Sequence, residues 1–299
     1  MIKKLSFYLC LMVLSLEVSS QQAVMFSQYF INDVIYNPAI SGSKDYNQLT
    51  IQTRQQWLGF AGAPLSANIS YHGALNNRSA MGGFLDHDRT GPSSQSNLQI
   101  NYAYHVPLNY DRTFLSFGIG AKFMYYNLDF QVDDLPPGND PAFSSKAFED
   151  FLGDVSSGIY LYNDNLFIGY SVVNMLQSSF NDQAGYDFSR NVEERVYYGI
   201  LGYRFQLDRD WAIEPSVFLR HLENSYQEYN LSTRVLYSDQ IWTAISARSN
   251  SSLSFSLGTN SDNVQFAYSF DHYFGEISHY QNGTHEITIS FRVPNNNKY

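Results

Sequence analysis

From Leu49 to Val293 the chain alternates apolar and polar residues with a period of two. In 263–271, Val264, Phe266, Tyr268 and Phe270 fall on one side and Gln265, Ala267, Ser269 and Asp271 on the other. Leu253, Phe255 and Leu257 alternate with Ser254, Ser256 and Gly258, and the last such stretch sets Ile287, Ile289, Phe291 and Val293 against Glu286, Thr288, Ser290 and Arg292. This spacing predicts strands with one apolar and one polar face. About fourteen are expected, at 48–57, 66–75, 79–86, 95–107, 113–130, 153–162, 166–173, 195–206, 211–222, 228–237, 241–248, 252–259, 263–271 and 285–293.

A sandwich of two sheets would alternate as well, so the connections carry the choice. Every second one is a short polar turn, at 76–78, 109–111, 163–165, 208–210, 238–240 and 261–262, whereas 131–152, 174–194 and 272–284 are long. Short turns on one side and long loops on the other, around an even number of strands, are what an outer-membrane barrel requires. Closure matters because lipid cannot satisfy an open sheet edge. The expected fold is therefore all-β, an antiparallel outer-membrane barrel preceded by a short plug-like segment. Both ends of the barrel then lie on the periplasmic side. The outward faces carry the aromatics, and the inward faces carry Arg54, Arg204, Glu214, Arg220, Arg234, Arg248, Glu286 and Arg292.

Composition agrees. Aromatic residues make up 16% of the 299 residues, too many for a disordered chain. Charged residues make up 15%, against about 25% in soluble domains. A net charge of −10 argues against a nucleic-acid partner. At the N-terminus, Lys3 and Lys4, the apolar run Leu5–Leu16 and the small residues Val18-Ser19-Ser20 read as a signal peptide over 1–20. The single cysteine, Cys10, lies inside that run after Phe7-Tyr8-Leu9, a poor setting for lipidation, and leaves the rest with no thiol chemistry. Residues 21–46 do not alternate. Phe26, Tyr29 and Phe30, followed by Asn37-Pro38, suggest an ordered segment tucked into the barrel (47–299) from the periplasmic end, with Asn37 capping a turn.

From this segment onward the chain resembles the PorP/SprF family of type IX secretion system outer-membrane proteins. The resemblance rests on Phe26-Ser27-Gln28-Tyr29 with Asn37-Pro38-Ala39-Ile40-Ser41-Gly42, on Arg54-Gln55-Gln56-Trp57-Leu58-Gly59-Phe60-Ala61-Gly62-Ala63-Pro64, and on Gly283-Thr284-His285-Glu286-Ile287. Gly82-Gly83, Asp86, Gly91-Pro92 and Glu214-Pro215-Ser216 fit the same pattern. The resemblance implies a non-enzymatic protein without cofactor or metal. It implies partners in the type IX apparatus and in secreted cargo, including gliding adhesins, recognised through a C-terminal signal domain, with outer-membrane lipid around the barrel. It makes these motif residues the candidate partner sites. Asn37-Pro38-Ala39 is also similar to the plug of FadL-like transporters of hydrophobic molecules; the blocks 54–64 and 283–287 favour PorP/SprF over that alternative.

Elsewhere the residues promise little chemistry. Asp86-His87-Asp88 and Asp271-His272 read as solvated strand ends rather than metal sites. His285 and Glu286 are adjacent on a strand and so point to opposite faces; a contact with the preceding glycine turn is the expected role. Gly118, Gly120, Gly199 and Gly202 are expected to relieve crowding where strands bend. Trp57 reads equally as an interface-girdle aromatic or as a partner contact.

Overall fold

The computed structural model describes residues 25–108, 113–129, 147–179, 193–223 and 227–295. Its strands are β1 (Tyr46–Gln55), β2 (Leu65–Ala74), β3 (Ser79–Thr90), β4 (Ser93–Pro107), β5 (Phe114–Asp129), β6 (Ala147–Tyr162), β7 (Leu166–Val173), β8 (Val196–Tyr203), β9 (Phe205–Gln206), β10 (Trp211–Leu222), β11 (Gln227–Tyr237), β12 (Ile241–Arg248), β13 (Ser252–Asn260), β14 (Val264–Tyr273) and β15 (Thr284–Pro294). Each pairs antiparallel with its neighbours, and β1 pairs with β15, so the sheet closes on itself. β8 and β9 both lie against β10 and form one stave interrupted at Arg204. The cause is Pro215, which stands opposite the break and has no N–H to give the ladder. The barrel thus has fourteen staves with one divided, as the alternation predicts.

Side-chain direction follows the pleat. On β1, Gln48, Thr50, Gln52 and Arg54 are buried inward while Leu49 and Ile51 face out. On β15, Thr284, Glu286, Thr288 and Ser290 are inward while Ile287, Phe291 and Val293 face out. The outward Leu, Ile, Phe and Tyr residues form the lipid-facing band. The interior is less uniformly polar than expected, because Tyr160, Tyr162, Tyr198, Phe218 and Trp242 point inward and are buried.

What they pack against is the N-terminal segment. Residues 25–43 run through the lumen, from the long-loop end at Phe26–Gln28 to the short-turn end, where Tyr46 opens β1. The segment therefore spans the barrel instead of entering from one end alone. Phe26, Tyr29 and Tyr36 join Tyr198 and Phe218 in one cluster, and Ile31 joins Trp242 in another. Tyr29 stacks on Phe218 with ring centroids 4.8 Å apart, and Phe30 meets Trp242 edge-on at 5.3 Å.

Most of this segment is irregular backbone, with single 3₁₀ turns at Asp33–Ile35 and Pro38–Ile40. Irregular backbone inside a barrel must find partners for its polar groups, and the polar inner wall supplies them. The carbonyls of Ile31, Tyr36, Ala39 and Ser41 are met by Gln48, Ser171, Ser116 and His105 respectively. Asn37 Oδ1 accepts from Ala39 N at 2.9 Å, capping the turn, while its Nδ2 donates to the Ile159 carbonyl at 3.0 Å.

Two glycines make that approach possible. A Cβ on Gly118 would sit 2.2 Å from Ala39 N, and one on Gly158 would sit 2.1 Å from Asn37 Oδ1. Gly118 is thus explained by the docked segment and not by a bend in its strand. Gly199, by contrast, has ordinary room around a Cβ.

Candidate functional site

At the long-loop end of the lumen the segment is held by four charged side chains from four strands. Arg54 on β1 stands directly across from Glu286 on β15 in the register. Asp271 lies near the end of β14 and Arg248 at the end of β12. Arg54 donates from Nη1 to Glu286 at 3.1 Å and from Nη2 to Asp271 at 2.8 Å. Arg248 lies 3.5 Å from Asp271. Two cations and two carboxylates balance, which a buried cluster requires.

Ser27 sits at the centre. Its Oγ donates to Asp271 at 2.7 Å and accepts from Arg54 at 2.8 Å and from Arg248 at 2.7 Å. One donor and two lone pairs are thereby all used. Glu286 receives the backbone N–H of Ser27 at 2.7 Å and of Gln28 at 2.9 Å, together with Gln52 Nε2 at 2.9 Å. Gln28 Nε2 donates to Ser269 at 2.7 Å, and the Tyr29 hydroxyl shares a hydrogen with Ser216 at 2.7 Å. The cluster is a latch that fixes a specific backbone conformation of Phe26–Tyr29 against the wall.

Within the segment, burial pushes the phenols of Tyr29 and Tyr36 up, so both stay neutral. Tyr36 Oη accepts from Phe26 N at 2.9 Å. Burial also raises the Asp33 carboxyl, against the opposing pull of Lys44, which lies 3.2 Å away.

The latch overturns two sequence expectations. Asp271 is no solvated strand end; it is fully buried, with bonds to Ser27, Arg54 and Ser254. Glu286 does not serve the preceding glycine turn but anchors the N-terminal segment. His285 does point to the other face, where it meets the Tyr268 hydroxyl at 2.7 Å. Asp86 is partly buried and accepts from Asn97 at 2.7 Å.

The remaining motif residues divide between two places. Asn37, Pro38, Ala39 and Gly42 pack against the wall in the short-turn half; Gly42 adopts φ +71° and its N–H reaches His72 Nδ1 at 3.2 Å. Gln56, Trp57, Gly59, Phe60, Gly62, Pro64 and Gly283 build a lip at the long-loop end. Gln56 N bonds the Pro64 carbonyl at 2.9 Å, closing the 56–64 loop. Leu58 N donates to the Gly283 carbonyl and Asn282 N to the Leu58 carbonyl, both at 2.8 Å, zipping that loop to the one before β15. Gly91 N bonds the Gly62 carbonyl at 3.0 Å and brings in the β3–β4 turn.

Trp57, Gly59, Gly62 and Gly283 all have positive φ, so the lip is a shaped turn. Trp57 is half-buried and lies edge-on to Tyr273, which itself approaches Arg54. It roofs the latch. Leu58, Phe60, Phe274 and Tyr280 are left exposed on the lip, Tyr280 at 71%. Sequence reasoning flagged Ser27, Arg54 and Glu286 as motif members, but nothing local marked Asp271 as their partner.

Comparison with known proteins agrees with this architecture. The family described as "Type IX secretion system membrane protein PorP/SprF" matches residues 18–291. No curated protein matches the chain. Among solved structures, the CymD monoaromatic hydrocarbon channel superposes with a TM-score of 0.55 at 10% identity, covering 90% of this chain and 94% of that one. A deltaS2 mutant of the TodX monoaromatic hydrocarbon channel gives 0.50 at 11% identity, covering 88% and 94%. At such identities the likeness is one of fold, an outer-membrane barrel.

Proposed function

This chain belongs to the PorP/SprF family of type IX secretion system membrane proteins, and from that premise we propose that its long-loop lip docks the C-terminal domain of secreted cargo. The role is non-enzymatic: the barrel holds exported protein, gliding adhesins among the candidates, at the cell surface or passes it there, while periplasmic components of the apparatus meet the short-turn side. The observation that carries this reading is the lip itself. The 56–64 loop and the loop before β15, more than two hundred residues apart, are tied backbone to backbone, and they present Leu58, Phe60, Phe274 and Tyr280 to solvent above the lipid-facing band. Exposed aromatic and aliphatic side chains on a rigid turn suit protein recognition.

A transporter of hydrophobic molecules is the competing reading. Such a path needs an apolar, passable lumen, whereas here the N-terminal segment occupies it and the cavity near the short turns is lined by Lys44, Arg204, Arg234 and Arg292. The test is the double substitution Leu58→Asp/Phe60→Asp in cells carrying this chain. With the barrel level in the outer membrane unchanged, surface-held cargo should fall at least tenfold. Unchanged cargo at the surface would sink the proposal.

A further inference from the structure

A polar cavity of about 240 Å³ lies at the short-turn end of the lumen, between the N-terminal segment and the wall formed by β11, β13, β14, β15, β1 and the break between β8 and β9 at Arg204. Four cations line it: Lys44, Arg204, Arg234 and Arg292. Three have acidic partners, Lys44 with Asp33, Arg204 with Asp239 and Arg234 with Glu214. Arg292 has none among the described residues. Its side chain donates to the neutral Gln265 at 2.7 Å and lies over the Tyr46 ring at 5.0 Å. The cavity therefore holds one uncompensated guanidinium beside a second, Arg204, whose partner Asp239 sits on the rim with a side chain 63% exposed.

We propose that this cavity binds a carboxylate presented from the short-turn side, with Arg292 as the primary partner and Arg204 as the second. Guanidinium forks match carboxylates in geometry and charge. The neighbouring Phe30, Ile31, Tyr46 and Leu236 surfaces suit the carbon chain that carries the carboxylate. The walls are strands, so a lipid headgroup in the surrounding membrane has no direct approach. The carboxylate then comes either from a free dicarboxylate or from an acidic stretch of polypeptide. Asp239 competes with the incoming group for Arg204, so it tunes affinity from the rim. This inference stands independently of the cargo-docking reading, which concerns the opposite end of the barrel.

Two variants of opposite sign test it. The purified full-length barrel in nanodiscs is titrated with fluorescein-labelled octaglutamate, and with glutarate as competitor. Arg292→Gln should weaken octaglutamate binding about tenfold, the loss of one charge-assisted contact, and Arg292→Lys should recover part of it. Asp239→Asn should tighten binding about two- to fivefold, as expected for removing an exposed competitor; Asn tolerates the φ of +56° found there. Arg209→Gln, an exposed arginine on a short turn outside the cavity, should change nothing. Glutarate displacing the peptide at similar concentration identifies a free dicarboxylate as the source, and glutarate far weaker than the peptide identifies a polypeptide. Absence of saturable binding, equal binding by wild type and Arg292→Gln, or equal losses in Arg292→Gln and Arg209→Gln would overturn the proposal.

Discussion

Replacing Glu286 with alanine should release the N-terminal segment at the long-loop end while leaving the barrel closed. Glu286 is buried and accepts from Ser27 N, Gln28 N, Gln52 Nε2 and Arg54 Nη1. Its removal takes the acceptor from two buried backbone N–H groups, at about 1–3 kcal/mol each. Arg54 keeps Asp271 at 2.8 Å, so the full penalty of an isolated buried charge is not added. Together the loss is about 3 kcal/mol of docking free energy, equivalent to about a hundredfold in the opening equilibrium. Hydrogen exchange of the Ser27 and Gln28 amides, followed by mass spectrometry in nanodiscs, reads that equilibrium directly. Glu286→Gln, which keeps one acceptor oxygen, should fall between the two. Unchanged exchange in Glu286→Ala, with the barrel still shifting its gel mobility on heating, would refute the reasoning. Loss of the folded barrel itself would show that the carboxylate supports the wall and not the segment.

Other substitutions separate the parts of the account. Gly118→Ala brings a Cβ to 2.2 Å from the Ala39 backbone and should cost about 1–3 kcal/mol by overpacking, whereas Gly153→Ala, which meets nothing within 4 Å, should be neutral; thermal unfolding of the two proteins checks this. Ser27→Ala removes the shared partner of Arg54, Arg248 and Asp271 and should loosen the segment by about 1–3 kcal/mol, visible as faster exchange at residues 26–29 with the rest unaltered. Asn37→Ala removes both the turn cap and the bond to the Ile159 carbonyl and should cost about 1 kcal/mol or somewhat more; faster exchange confined to residues 36–41 is the expected signature.

The barrel was legible in the sequence because lipid and lumen impose opposite polarities on successive residues of every strand, and the short turns carry Asn and Asp where the chain must reverse. The break between β8 and β9 was not, since it is dictated by Pro215 on the neighbouring strand. The latch was half legible. Ser27, Arg54 and Glu286 belonged to recognisable blocks, but an aspartate beside a histidine near the end of a strand carries no local sign of burial. Asp271 acquires its role only when closure brings β14, β15 and β1 side by side. The glycines follow the same logic: Gly118 looks like any strand glycine until the segment that lies against it is placed. The lip was legible as motif and illegible as surface, because the contact between the 56–64 loop and Gly283 depends on the closing pair of strands.

The most direct measurement is affinity purification of the tagged barrel from its own outer membrane in mild detergent, with co-purifying proteins identified by mass spectrometry. The account predicts recovery of type IX components together with a secreted protein held through its C-terminal domain, and loss of that protein in Leu58→Asp/Phe60→Asp. Recovery of the barrel alone, carrying a small apolar molecule, would contradict it.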